Sequence, residues 1–179
     1  MVSIDRSIFF IFYNFSYHSR VVDFLIKFFG DYFLYVVLFA FVFALYKKSK
    51  GSLRQLKLYI FALFSAFVAR FVVAQIIRLF IHRPRPFLTF SLPHLINDTA
   101  YSFPSGHTIF IFALATATYF FNKKLSYFLY ISGLLIGFAR IAGGVHYPYD
   151  IAGGIILGIA TGIVLHVFCK LLGPQKIDQ

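Results

Sequence analysis

The sequence predicts an all-α integral membrane protein, a bundle of five to six transmembrane helices, and three observations carry that prediction. First, 60% of the 179 residues are hydrophobic and 13% are charged, against about 25% charged in a soluble domain. Mean hydropathy is +0.80, an apolar excess too large for a soluble core and suited to a lipid solvent. Second, apolar runs of membrane-spanning scale recur along the chain. Third, much of the net charge of +11 sits in short clusters between those runs. That is the pattern of a topology determinant and an anionic-lipid contact, not of a nucleic-acid surface. The aromatic residues fit the same solvent: Phe, with 26 copies, suits lipid-facing and packing positions, and Tyr, with 12, suits the interfaces.

Residues 1–30 mix Ile8, Phe9, Phe10, Phe12 and Tyr13 with Asn14, Ser16, His18, Arg20, Asp23 and Lys27. The mixture predicts an amphipathic segment lying in the interface, with an extra, sixth span as the alternative. The apolar stretch 8–13 is short, follows Asp5 and precedes no small-residue cleavage site, so it reads as part of the mature protein. Five runs then read as spans: 31–46, 58–77, 103–122, 125–139 and 151–169. A span needs ~20 residues, so the first and fourth recruit flanking interfacial residues. The first extends back toward Phe24, with Lys27 and Asp31 snorkelling or paired. Pro84, Pro86 and Pro93 mark the loop 81–102 as non-helical. In the fifth run Gly154, Gly158 and Gly162 recur every four residues, which lets a neighbouring backbone approach closely. No repeat, low-complexity tract or composition boundary divides the chain, so 1–179 reads as one domain.

Basic residues orient the bundle. Lys47, Lys48, Lys50, Arg54 and Lys57 follow the first run, Lys123 and Lys124 follow the third, and Lys170 and Lys176 follow the fifth. In a five-span bundle all lie on one side, which the positive-inside rule makes the cytoplasm. The opposite side holds the N-terminus, the loop 81–102 and the turn 141–149.

Three segments on that outer side gather the unusual chemistry: Arg78-x6-Arg85-Pro86, Pro104-Ser105-Gly106-His107 and Arg140-x5-His146-x3-Asp150. Guanidinium forks match phosphate oxygens in geometry. Two imidazoles, one with a carboxylate four residues on, suit a nucleophile and a proton donor. Ser105 and Gly106 open the third helix, where backbone N–H groups and the helix dipole favour an anion. Cys169 is the sole cysteine, and the six acidic residues are all Asp. These are too few for a convincing Mg²⁺ site, so neither metal nor cofactor is expected. Taken singly, each segment has a plainer reading. Pro-Ser-Gly is a turn and cap, His146 and Asp150 are a local i,i+4 pair, and Arg78 and Arg140 are snorkelling end residues. Together they read as a phosphate-cleaving site at a membrane surface.

The remaining polar residues point less clearly. Arg70 interrupts the second run, roughly 12 Å deeper than Arg78 at ~1.5 Å per residue. That depth puts it beyond direct reach of the same phosphate and leaves a structural pairing, for instance with Asp31. His82 and Arg83 could meet a second phosphate, a head group or water. His94 and Asp98 read as solvated, and His166 as a packing residue.

In order and spacing, RLFIHRPRP, PSGH and ARIAGGVHYPYD resemble the signature of the type 2 phosphatidic acid phosphatase (PAP2) superfamily. Its pattern is Lys-x6-Arg-Pro, Pro-Ser-Gly-His and Ser-Arg-x5-His-x3-Asp. Arg78 stands where the family usually has Lys, keeping the charge and adding a fork. Ala139 stands where it usually has Ser, removing one hydroxyl. The resemblance implies a PAP2/haloperoxidase-like helical core and a division of roles. His146 would attack phosphorus to form a phosphohistidine, and Asp150 would orient it. His107 would protonate the leaving oxygen and then activate water. Arg78, Arg85, Arg140, Ser105 and Gly106 would bind phosphate. Small size favours a bacterial enzyme, and the basic clusters place it in the inner (cytoplasmic) membrane with its site facing the periplasm, with no obligate protein partner expected. The stretch before the first span resembles the short undecaprenyl pyrophosphate phosphatases, making that lipid the first-choice substrate. Phosphatidylglycerophosphate, phosphatidate and the 1-phosphate of lipid A are the alternatives. A non-enzymatic lipid transporter, the rival of another class, would spread polar residues through the middle of several helices. Here they gather at one end.

Overall fold

In lipid every backbone polar group must be satisfied within the protein, and this chain meets that demand with helices. The computed structural model describes residues 2–172, among which no strand forms. Lys176 and Asp178 lie outside the described residues. The helices are α1 (Val2–Tyr13), α2 (Arg20–Lys27), α3 (Phe33–Ser49), α4 (Leu53–Val68), α5 (Ala74–Phe80), α6 (Pro86–Phe90), α7 (Gly106–Tyr119), α8 (Lys123–Ala142) and α9 (Pro148–Leu172).

A π-helical turn, Phe28–Tyr32, joins α2 to α3, and another, Ala69–Val73, joins α4 to α5. The resulting rods Arg20–Lys48 and Leu53–Phe80 are long and apolar enough to cross a membrane, as are Lys123–Ala142 and Pro148–Leu171. All four are longer than the apolar runs that predict them, because their end turns carry charged residues that can snorkel. Residues 20–27 accordingly belong to the first rod and not to a separate N-terminal segment. The fifth run becomes α9, and the third becomes α7, an apolar helix of 14 residues. Ser52 accepts from the Gln55 amide and Asn122 from the Leu125 amide, capping α4 and α8. Pro86 does not keep its loop free of helix. It stands at the start of α6, where its missing N–H would have had no intrahelical partner anyway.

α7 is the axis of the bundle. Nearly all of its residues are buried, and it packs against α9, α8 and α4. The glycine ladder of α9 makes this possible. A Cβ on Gly158 would lie 2.6 Å from the Ile109 carbonyl oxygen, and one on Gly154 would lie 3.0 Å from that of Ser105. Val37, Phe41, Tyr59 and Leu129 pack in one cluster with Leu114 of α7. Buried hydroxyls bond to carbonyls nearby: Thr116 to Phe112 at 2.8 Å, Thr118 to Leu114 at 2.7 Å and Ser126 to Ala115 at 2.8 Å. The outer faces are apolar instead, with Phe39, Leu79 and Phe80 70–80% exposed, as suits a protein whose solvent is lipid.

α1 lies against α8 and α9. Its Phe9 and Tyr13 are buried with Ile141, Tyr147 and Ile151. The end of α5, the starts of α7 and α9 and the end of α8 thereby meet at one end of the bundle.

Candidate active site

Two glycines end α8. Gly143 is its C-cap, and Gly144 takes the left-handed φ of +84° that a side chain would resist. The chain then turns into α9 and delivers His146 and Asp150 to the interior, both fully buried. Asp150 lies in the first turn of α9, where the helix dipole favours a carboxylate. Its Oδ2 accepts from the Tyr147 amide at 2.8 Å and from the Ser102 hydroxyl, and its Oδ1 accepts from Arg83 Nη1 at 2.7 Å. Arg83 also donates to Asp5 of α1 and lies over the Tyr147 ring.

The surroundings of His146 decide its tautomer. Arg85 Nη1 lies 3.3 Å from Nε2. A guanidinium can only donate, so Nε2 presents its lone pair and the proton sits on Nδ1. Nδ1 has no closer partner than Asp150 Oδ2 at 3.5 Å. Burial drives the His146 pKa down to about 4 against the upward pull of Asp150, and the Arg140 and Arg85 charges reinforce the fall. The ring is therefore neutral at neutral pH.

Arg85 and Arg140, both buried, share one counterion. Asp98 Oδ1 lies 2.7 Å from Arg85 Nη2, and Asp98 Oδ2 lies 2.6 Å from Arg140 Nη2. Burial alone would raise the Asp98 pKa, but the two guanidiniums outweigh it and hold the carboxyl below its ordinary range. Arg85 is further fixed by the carbonyls of Ala100 at 2.6 Å and Val145 at 2.9 Å. Arg140 donates to the Gly30 carbonyl at 3.0 Å, within the π-helical turn, and lies 3.5 Å from Asp31. Arg78 is held differently. It gives one bond to the Pro104 carbonyl at 2.9 Å, and its Nε, though buried, has no partner among the described residues.

Ser105 caps α7, but its own amide is already bonded to the Asp150 carbonyl at 3.1 Å and its hydroxyl accepts from Thr108. The amides of Gly106, His107 and Thr108 follow in the first turn, where no intrahelical partner exists. The His107 ring is partly buried, makes no hydrogen bond among the described residues, and lies within electrostatic reach of Arg140, Arg70, His146 and Arg85. A cavity of about 690 Å³ runs from Arg78 and Arg85 outward between apolar walls that include Phe71, Ile76, Leu79 and Leu88.

The fold thus gathers the residues of all three motifs at one end of the bundle and brings Asp98, Arg83, Ser102 and Arg70 beside them. Asp98 is not solvated but is the shared counterion of two arginines. Its signal was present: it is the sole acidic residue between Asp31 and Asp150, and buried arginines require a carboxylate. Arg83 faces carboxylates, and Ser102 buttresses Asp150. Arg70 does not pair with Asp31. Its guanidinium packs on Gly106 so closely that a Cβ there would overlap Nη1. The rise between the Cα atoms of Arg70 and Arg78 measures backbone depth and not the reach of a guanidinium, because an arginine side chain is long. His94 is exposed with its ring stacked on Phe87, and His166 stacks on Phe120 as a packing residue.

The chain is 40% identical over 108 residues to undecaprenyl-diphosphatase BcrC of Bacillus subtilis, a match covering 60% of this chain and 56% of that protein. It is 32% identical over 103 residues to the bacitracin transport permease protein BcrC of Bacillus licheniformis, covering 55% and 49%. The matches span about half the length of these curated relatives. The crystal structure of LpxE from Aquifex aeolicus superposes with a TM-score of 0.70 at 26% identity, over 90% of this chain and 93% of that one. Residues 55–172 match the sequence profile of the PAP2 superfamily. That stretch is more than half of the chain and holds all three motifs, together with the helices that bring them to one end, and the chain belongs to the PAP2 superfamily.

Proposed function

We propose that this protein is a metal-independent membrane lipid-phosphate phosphatase that converts undecaprenyl pyrophosphate to undecaprenyl phosphate. The observation that carries the reading is the setting of His146, whose Nε2 lies 3.3 Å from Arg85 Nη1 and whose Nδ1 lies 3.5 Å from Asp150 Oδ2. In the first step Nε2 attacks the terminal phosphorus. A P–N bond forms, the P–O bond to the bridging oxygen breaks, and His107 gives that oxygen a proton. Asp150 supports the cationic ring, and Arg78, Arg85, Arg140 and the amides of Gly106 and His107 stabilise the equatorial oxygens. In the second step His107 takes a proton from water as its oxygen attacks the phosphohistidine. The P–N bond breaks, and inorganic phosphate leaves.

The cavity beside Arg78 and Arg85 supports a lipid substrate, since its apolar walls open toward lipid-facing Leu79 and Leu88. The relative named an undecaprenyl-diphosphatase supports the choice of lipid. The basic clusters support a site facing the periplasm of a bacterial cytoplasmic membrane. A transport reading, which the name of the second relative would suggest, requires polar groups along a path through the bundle. Here the titratable residues of the site gather at one end.

The test is phosphate release in detergent with EDTA present, offering undecaprenyl pyrophosphate, phosphatidylglycerophosphate, phosphatidate and lipid A. Release is expected from the pyrophosphate lipid foremost and is abolished by His146→Ala. Silence on every lipid overturns the enzyme reading, and loss of activity with EDTA overturns the metal-free one.

A further inference from the structure

Arg70 lies in the apolar stretch between Lys57 and Arg78, at a depth where an ionised side chain is costly and is normally paired. Yet among the described residues it makes no hydrogen bond and no ion pair, and its nearest aromatic contact is the Phe71 ring at 6.0 Å. The carboxylates at this end of the bundle are already engaged. Asp98 holds Arg85 and Arg140, Asp31 lies beside Arg140, and Asp5 and Asp150 hold Arg83. Arg78 is in the same condition, with one carbonyl partner, no carboxylate and an unpartnered Nε. Both guanidiniums converge on the segment 104–106, Arg78 through the Pro104 carbonyl and Arg70 against Gly106. The helix start there adds positive potential of its own. Two cations at a helix N-terminus, neither with a carboxylate in contact among the described residues, suit an anion. The π-helical turn Ala69–Val73, a departure from α-geometry common at functional sites, carries Arg70 in its second position.

We propose that Arg70 is a fourth phosphate-binding guanidinium, which takes the second, lipid-linked phosphate of a pyrophosphate substrate while Arg78, Arg85 and Arg140 hold the terminal one. Arg85 lies 3.3 Å from the attacking nitrogen of His146, so it belongs with the terminal phosphate, together with Arg140 on the shared Asp98. Arg70 abuts the residue before His107, the donor to the leaving oxygen, so it belongs on the leaving-group side. In a pyrophosphate ester that side carries a second anionic phosphate, and in a carbon-linked monophosphate it carries none. The assignment rests on the phosphatase reading above and makes Arg70 a determinant of substrate class.

The experiment compares wild type, Arg70→Gln and Arg70→Lys in detergent, with undecaprenyl pyrophosphate and phosphatidate as substrates. For Arg70→Gln, KM for the pyrophosphate lipid should rise about tenfold, the loss of one charge-assisted hydrogen bond, with KM and kcat for phosphatidate little changed. Arg70→Lys should recover part of the pyrophosphate KM. Wild-type values for the pyrophosphate lipid in both variants, or equal losses on both substrates, overturn the assignment. If Arg70→Gln does not fold, Arg70→Lys decides by the same comparison. A second arm reads binding without turnover, as the rise in melting temperature produced by inorganic pyrophosphate. The rise should shrink in the Arg70 variants, and an equal rise overturns the assignment. Wild type inactive on every lipid overturns the phosphatase reading instead, and the binding arm still decides Arg70.

Discussion

A histidine attacks phosphorus only through an unprotonated nitrogen, and at His146 burial and two neighbours favour that state by different means. Burial removes the water that would stabilise a cationic ring, Arg85 repels a proton from Nε2, and Asp150 keeps the remaining proton on Nδ1. The ring should therefore show the neutral Nδ1–H pattern in ¹⁵N spectra of histidine-labelled protein down to about pH 4, with His146→Gln identifying the signal. The sign for stability follows. The unfolded chain takes up this proton near pH 6.5, whereas the folded ring resists it until about 4. Stability from this residue is present in full above pH 6.5 and is lost as the pH falls toward 4. His146→Gln should flatten that part of a melting-temperature profile. The two departures from the family motif also have a physical setting. Arg78 supplies a fork, one arm of which is spent on the Pro104 carbonyl. Ala139 is buried against the Gly30 turn, the turn whose carbonyl receives Arg140.

Helices α7 and α9 set the distance between the supports of the two histidines proposed for catalysis. His107 rides on the first turn of α7 and Asp150 on the first turn of α9, and the Ser105 amide bonds directly to the Asp150 carbonyl. Small residues hold these backbones together, and hydrogen-bonded backbone cannot yield as a side chain can. Gly158→Ala would place a Cβ 2.6 Å from the Ile109 carbonyl oxygen. The expected cost is about 1–3 kcal/mol of stability, the usual size of an overpacking defect. It should appear as a lower denaturation midpoint in detergent together with reduced turnover. A wild-type midpoint would mean that the contact is not tight. The π-helical turns act at the same scale. One presents the Gly30 carbonyl to Arg140, and the other holds Arg70 beside α7.

For the whole molecule, the polar residues of the site are concentrated at one end of an otherwise lipid-facing bundle. The positive clusters Lys47–Lys57 and Lys123–Lys124 lie at the opposite helix ends. The proposed topology places the site outside and the clusters inside. In a Cys169→Ser background, a cysteine at Asn97 should react with an impermeant maleimide in intact cells. One at Lys124 should react only after the membrane is opened. The reverse pattern would invert the topology and place the site in the cytoplasm. The N-terminal helix joins the same end through Asp5, Arg83 and Asp150, so its placement is coupled to the site and not only to the interface.

The sequence alone determined the solvent, the helices and the motif residues, because hydropathy, spacing and helix-end position are local properties that survive in one dimension. His107, His146, Asp150, Arg78, Arg85 and Arg140 could all be named from order and spacing. What only the tertiary structure decided are through-space pairings between distant segments. These include the sharing of Asp98 by Arg85 and Arg140, 42 residues apart from the latter in the chain, and the bridge from Asp5 to Asp150 through Arg83. They also include the tautomer of His146 and the contact of Arg70 with Gly106. Coulombic and hydrogen-bond energies depend on distance and burial, and neither is fixed for a charged side chain until the helices have packed.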